Sequence, residues 1–128
     1  MAKRHIGEVQ GVPRLASPIS NAVVIDDTCH ISGQLAVYDN GYHAGTAYEE
    51  ARRAFELVFL IAREAGFEQR DIVYVDLAFS DLGKDLSEVD RLYGELFASP
   101  PARTIYEAAA LPFGARVKIQ AIAMRSSK

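Results

Sequence analysis

Hydrophobic and polar positions alternate with a period of two in two stretches near the end of the chain. Arg103, Ile105, Glu107 and Ala109 share one face of the first stretch. In the second, Val117, Ile119, Ala121 and Ala123 lie on one face, with Lys118, Gln120, Ile122 and Met124 opposite. Both read as strands, because successive side chains of a strand point to opposite sides. A turn at 111–115 separates them, and Pro100 and Pro101, which cannot donate a backbone hydrogen bond, precede the first. A further strand is expected at 72–80, with Val73, Val75, Leu77 and Phe79 facing one way. Earlier strands are expected at 22–25 and around 30–32, turned at Asp26–Asp27, with a short edge strand at 3–8. Gly33 inside a strand pattern predicts a bulge or a close approach to the backbone. Residues 9–18 and 37–44 read as loops.

Two stretches carry the helical period instead. Thr46 and Glu49 form a capping box, Gly66 stands at a C-terminal cap, and Ala47, Ala51, Ala54, Val58, Ile61 and Ala65 fall on one stripe. Glu49, Arg53, Glu56 and Arg63 make the wet face, with Glu49–Arg53 read as a solvated i,i+4 pair. In the second stretch Asp85 and Glu88 cap a helix whose Val89, Leu92, Tyr93, Leu96 and Phe97 follow core spacing. The order β, ββ, α, β, α, β, β predicts one α+β domain over residues 1–128, a mixed sheet with two helices on one face. The open face keeps Ile72, Ala78, Ile122 and Met124, which favours an oligomer over a monomer.

Composition narrows the function classes. The chain has 128 residues, a formal net charge of −3 and no basic run, which argues against nucleic acid or anionic membrane as partners. No apolar leader and no 18-residue apolar run occur, so a soluble cytoplasmic protein is expected. Cys29 reads as a small buried hydrophobe. His5, His30 and His43 are scattered, so no metal site is expected. Neither a phosphate-cradling glycine loop nor a dinucleotide fingerprint occurs, so no cofactor is expected. Arg103 is the oddity, a charge delivered into a sheet by a Pro-Pro corner; its planar fork suits a carboxylate.

Three segments resemble the RidA (YjgF/YER057c/UK114) family. Ser17-Pro18-Ile19-Ser20-Asn21-Ala22-Val23 is similar to the family's GPYSQAV, and Ile31-Ser32-Gly33-Gln34 to its LSGQ. PPAR at 100–103, a strand, and then LP-x-G-A-x-V-x-I-x-A-I-A resemble its C-terminal signature. The resemblance implies a chorismate-mutase-like fold assembled as a homotrimer with ligand clefts between subunits. It further implies that Arg103 holds the carboxylate of a 2-imino or 2-enamine acid while water attacks the imine carbon, giving a 2-keto acid and ammonia. Gly33 and the backbone before Ile105 are placed near the substrate by the same resemblance.

The departures from the pattern shape the remaining expectations. Ile19 stands where the family carries Tyr, Lys118 and Gln120 where it carries Glu, and Ile105 where it carries Cys. Glu107, on the face of Arg103, is a substitute catalytic group or an ion-pair partner of a neighbouring cation; Tyr42, Tyr93 and Tyr106 are the available phenols. Lys118 is expected to point into the cleft of Arg103 and favour a doubly anionic ligand, or else to reach solvent. Two functions remain open: an enamine/imine deaminase, and a non-catalytic trimer that binds small carboxylates. A ribonuclease is the least attractive reading for an acidic chain.

Overall fold

The alanine stripe of the first helix sets the architecture, since small residues let a helix lie close on a sheet. In the computed structural model, which describes residues 3–14 and 16–126, α1 spans Ala47–Glu64. Thr46 Oγ1 accepts the Glu49 N–H and Glu49 reaches back to the Thr46 N–H, completing the capping box. At its far end Gly66 adopts a φ of +95°, the left-handed conformation a side chain resists, and donates its N–H to Arg63 O. Ala47, Ala51, Ala54, Val58, Ile61 and Ala65 are all buried. Full burial of a Val or Ile contributes about 1.5–3 kcal/mol, so this stripe anchors the helix far more strongly than propensity does.

The stripe packs on a six-stranded mixed sheet in the order β1-β2-β3-β8-β6-β7. Its strands are β1 (Lys3–Ile6), β2 (Ala22–Ile25), β3 (Thr28–Gln34), β6 (Ile72–Phe79), β7 (Ala102–Glu107) and β8 (Val117–Met124). All neighbours are antiparallel except β6 and β7, which run parallel and are joined through α2 (Leu82–Leu96). Both helices cover the same face, so the chain forms the two-layer α+β domain expected. Val117, Ile119, Ala121 and Ala123 are buried against the helices, as are Val75, Leu77 and Phe79. The register shifts between Ile31 and Gln34 on β3, which is the bulge anticipated at Gly33.

Several local expectations are corrected. Val73 does not join the core row: a register shift between Ile72 and Tyr74 leaves it 42% exposed and buries Ile72 in the main core instead. Of the residues expected on the open face, Ile72 is therefore lost and Ala78 is covered by Leu111 and Ala115. Residues 37–44 contain a small ribbon, β4 (Val37–Tyr38) and β5 (Gly41–Tyr42). The N-cap of α2 is Asp81, whose side chain accepts the Lys84 N–H at 3.2 Å, not Asp85 or Glu88. Asp85 lies a turn further in, buried, 3.5 Å from Arg116. Glu88 instead accepts the Tyr48 N–H, tying α2 to the first turn of α1. Arg53 does not pair with Glu49. It donates to Val37 O, pairs with Glu56 at 2.6 Å and lies over the Tyr38 ring.

Candidate functional site

The β3 bulge opens a groove of about 620 Å³ between β3, the start of β8, the segment after β1 and the turn at 112–114. Ser32 fastens two of these parts. Its Oγ donates to Ser20 O at 2.6 Å and its N–H to Asn21 O at 2.9 Å, while Asn21 Nδ2 donates to Gly7 O. Ile19, Gly33 and Lys118, three of the sequence-derived site residues, line the groove together with Gln120. A Cβ on Gly33 would lie 3.0 Å from Lys118 Cδ and 3.2 Å from Cγ; the glycine is the space in which the lysine stem lies. Among the described residues no carboxylate side chain lines the groove, and its walls at Pro13, Leu35, Pro112 and Phe113 are apolar.

Phe113 was not singled out in the sequence. It is 68% exposed at φ +62°, a conformation a bulky residue avoids, and its ring stacks on Tyr42 with centroids 5.7 Å apart. The signal available was its place between Pro112 and Gly114, in a turn that forces an unusual backbone.

The remaining predicted residues lie elsewhere. Register places Arg103 beside Val75 and Ile105 beside Leu77, on the helix-covered side of the edge strand β7. Lys118 stands beside Ala78, in the alternate row. Within one chain, therefore, Arg103 and Lys118 lie on opposite faces of the sheet. The Arg103 guanidinium pairs with Asp90 of α2 at 2.7 Å and lies 4.8 Å from the centroid of the Tyr93 ring. Tyr93 donates its hydroxyl to Pro101 O at 2.9 Å. Burial pushes the Tyr93 phenol up, with the Arg103 charge pulling it back. Ile105 packs against the main core. Glu107 forms no ion pair among the described residues: its Oε1 accepts the Leu82 N–H at 3.0 Å, satisfying a free donor in the first turn of α2.

A buried polar cluster connects to the groove through Tyr42, whose ring stacks on Phe113. Glu50, 1% exposed, faces inward from α1 and accepts three hydrogen bonds. They come from Tyr42 Oη at 2.7 Å, the Gly45 N–H at 3.1 Å and the Arg116 N–H at 3.0 Å. Burial, then the Glu50 hydrogen bond, pushes the Tyr42 phenol up to about 12. The cluster joins β5, α1 and the residue two places before Lys118. A carboxylate three residues after Ala47 and four before Ala54, on the apolar stripe, was its sequence signal. Cys29 is fully buried, and burial raises its thiol to about 11. No group of three His, Cys, Asp or Glu side chains suited to a metal occurs among the described residues, and no helix there is long and apolar enough to cross a membrane.

Comparison with known proteins adds to this geometry. A family model described as Endoribonuclease L-PSP matches residues 11–125. A 2-iminobutanoate/2-iminopropanoate deaminase of Capra hircus is 36% identical over 125 residues, covering 95% of this chain and 90% of the relative. The structure of the YjgF gene product from E. coli superposes with a TM-score of 0.89 at 29% identity, covering 96% of this chain and 99% of the other. That of E. coli TdcF with bound serine gives 0.84 at 28% identity, covering 96% and 100%.

Proposed function

The chain belongs to the RidA (YjgF) family, and on that footing we propose that it binds small 2-imino and 2-keto carboxylates and hydrolyses reactive imines to 2-keto acids and ammonia. The observation that carries this reading is the state of Arg103. Asp90 and the Tyr93 ring hold its guanidinium in place, and among the described residues Asp90 is its one ion-pair partner. A fork so oriented offers its remaining N–H donors to a carboxylate at little conformational cost. The deaminase activity named for the Capra hircus relative and the amino acid bound to the E. coli neighbour are compatible with such a ligand.

The reaction needs little from the protein. Water adds to C2 of the imine, the nitrogen takes up a proton, and ammonia leaves as the C2–O bond becomes a carbonyl. Positioning and a polarised C=N account for most of the acceleration of so reactive a species. The groove and Arg103 belong to one site when two copies meet: the groove of one subunit is completed by the β7 edge of another in a homotrimer. Support comes from the open sheet face, where Ile25 and Met124 are exposed and Val23 and Ile122 half-buried.

One observation favours a second reading, a trimer that binds small carboxylates without turning them over. Among the described residues no carboxylate lines the groove, and Glu107 is committed to α2. Ammonia release from freshly generated 2-iminopropionate, with and without protein, separates the two. Arg103→Ala should abolish both turnover and pyruvate binding, and Arg103→Lys should rescue poorly. Unchanged pyruvate affinity in Arg103→Ala removes the anchor. Light scattering that reports a monomer removes the shared site.

A further inference from the structure

We infer that the groove selects a second anionic group through Lys118, so that the preferred ligands are 2-imino or 2-keto acids carrying a side-chain carboxylate. The inference rests on the proposed function for the 2-imino group and for Arg103 as holder of the C1 carboxylate. The rest comes from the groove itself. Of the two cations that line the groove, Arg14 is already paired with Glu8 at 2.8 Å. Lys118 is half-buried and has no ion pair or side-chain hydrogen bond among the described residues. Its stem does not wander: Cγ, Cδ and Cε all pass within 3.5 Å of the position a Gly33 Cβ would take, which fixes the course of the side chain along the groove.

An unmatched cation between apolar walls attracts an anion more strongly than one in open water, because the surroundings screen it less. No carboxylate lines the groove among the described residues, which leaves a ligand carboxylate room to pair with Lys118. The apolar lining suits the same ligands, since the methylenes of a longer acid can lie against Ile19 and Phe113. The outward Phe113 ring, held by its stack on Tyr42, keeps that wall in place.

The test compares 2-oxoglutarate with 2-oxobutyrate, stable ligands that differ by the side-chain carboxylate, by calorimetry on the wild-type protein and on Lys118→Gln. Hydrolysis of the two corresponding imines is followed in parallel by ammonia release. A hydrogen-bonded charge pair predicts that the wild type prefers 2-oxoglutarate by about tenfold or more. The preference should shrink towards parity in Lys118→Gln, and in the wild type as ionic strength rises; the salt series decides should the variant fail to fold. Equal affinities in the wild type, a preference that survives Lys118→Gln, or no binding of either acid overturns the inference. Turnover of both imines without a dicarboxylate preference does the same while leaving the deaminase intact. A Lys118-dependent preference without ammonia release upholds the inference and removes the deaminase.

Discussion

Glu50→Gln is the substitution that asks most of this structure, since it keeps the shape of a buried side chain and changes one atom. The carboxylate faces three donors, two on Oε2 and one on Oε1. An amide oxygen can serve only one of these positions. If it takes the place of Oε2, the new NH₂ meets the Arg116 N–H, donor against donor, and a buried backbone group is left unsatisfied. Hydrogen bonds to a charged group contribute about 1.5–3 kcal/mol each, and leaving a buried donor unpaired costs about 1–3 kcal/mol. Loss of one bond and weakening of two gives roughly 2–4 kcal/mol. For a domain of this size that is a fall in Tm of roughly 10 °C. Differential scanning calorimetry at fixed protein concentration reads it, concentration being held because any assembly adds to apparent stability. Tyr42→Phe and the double variant complete a cycle whose coupling should be about 1 kcal/mol. A Glu50→Gln protein within about 0.5 kcal/mol of wild type would refute the assignment of all three bonds.

Glu107→Ala should lower stability by about 0.5–1 kcal/mol, since it frees the Leu82 N–H while Asp81 continues to cap α2. A urea midpoint identical to wild type counts against that cap. The Tyr42 phenol ionises at about 12 in the folded protein and near 10 in an unfolded chain, so the unfolded state loses its proton first. Stability should therefore fall as pH rises from about 10 to about 12, and fall less steeply in Tyr42→Phe; parallel curves would contradict the shift. Cys29, raised to about 11 by burial, should resist alkylation at pH 8 until urea unfolds the chain. Rapid labelling of the native protein would show the strand open.

The elements that sequence described best are those whose signal is local. The capping box of α1, its glycine stop and the alternation of β8 depend on residues within a few positions of one another, and all appear where the pattern put them. What escaped depends on where the chain is brought from far away. Asp85 looks like a helix cap until Asp81 takes that role and Arg116 arrives beside it. Glu107 looks like a partner for a basic side chain until the first turn of α2 is set against it. Arg103 and Lys118 both alternate into the sheet, but the face each occupies is a property of strand order and register, which a single sequence does not state. Val73 failed for a narrower reason: one shifted pair after Ile72 exchanges the faces of Ile72 and Val73 and leaves the rest of β6 in phase.

The position of β8 has a consequence for the life of the chain before it is folded. Last in sequence among the strands, it lies in the interior of the sheet with β3 on one side and β6 on the other. Until a ribosome has released it, β1–β3 and β6–β7 have no shared partner, and each half presents a hydrogen-bonding edge towards an empty slot. Insertion of this one strand closes the gap, sets Lys118 against Gly33 and brings Arg116 to Glu50 in a single event. The two inner edges are open to pairing with other copies only during that interval, and β8 covers both once it is seated.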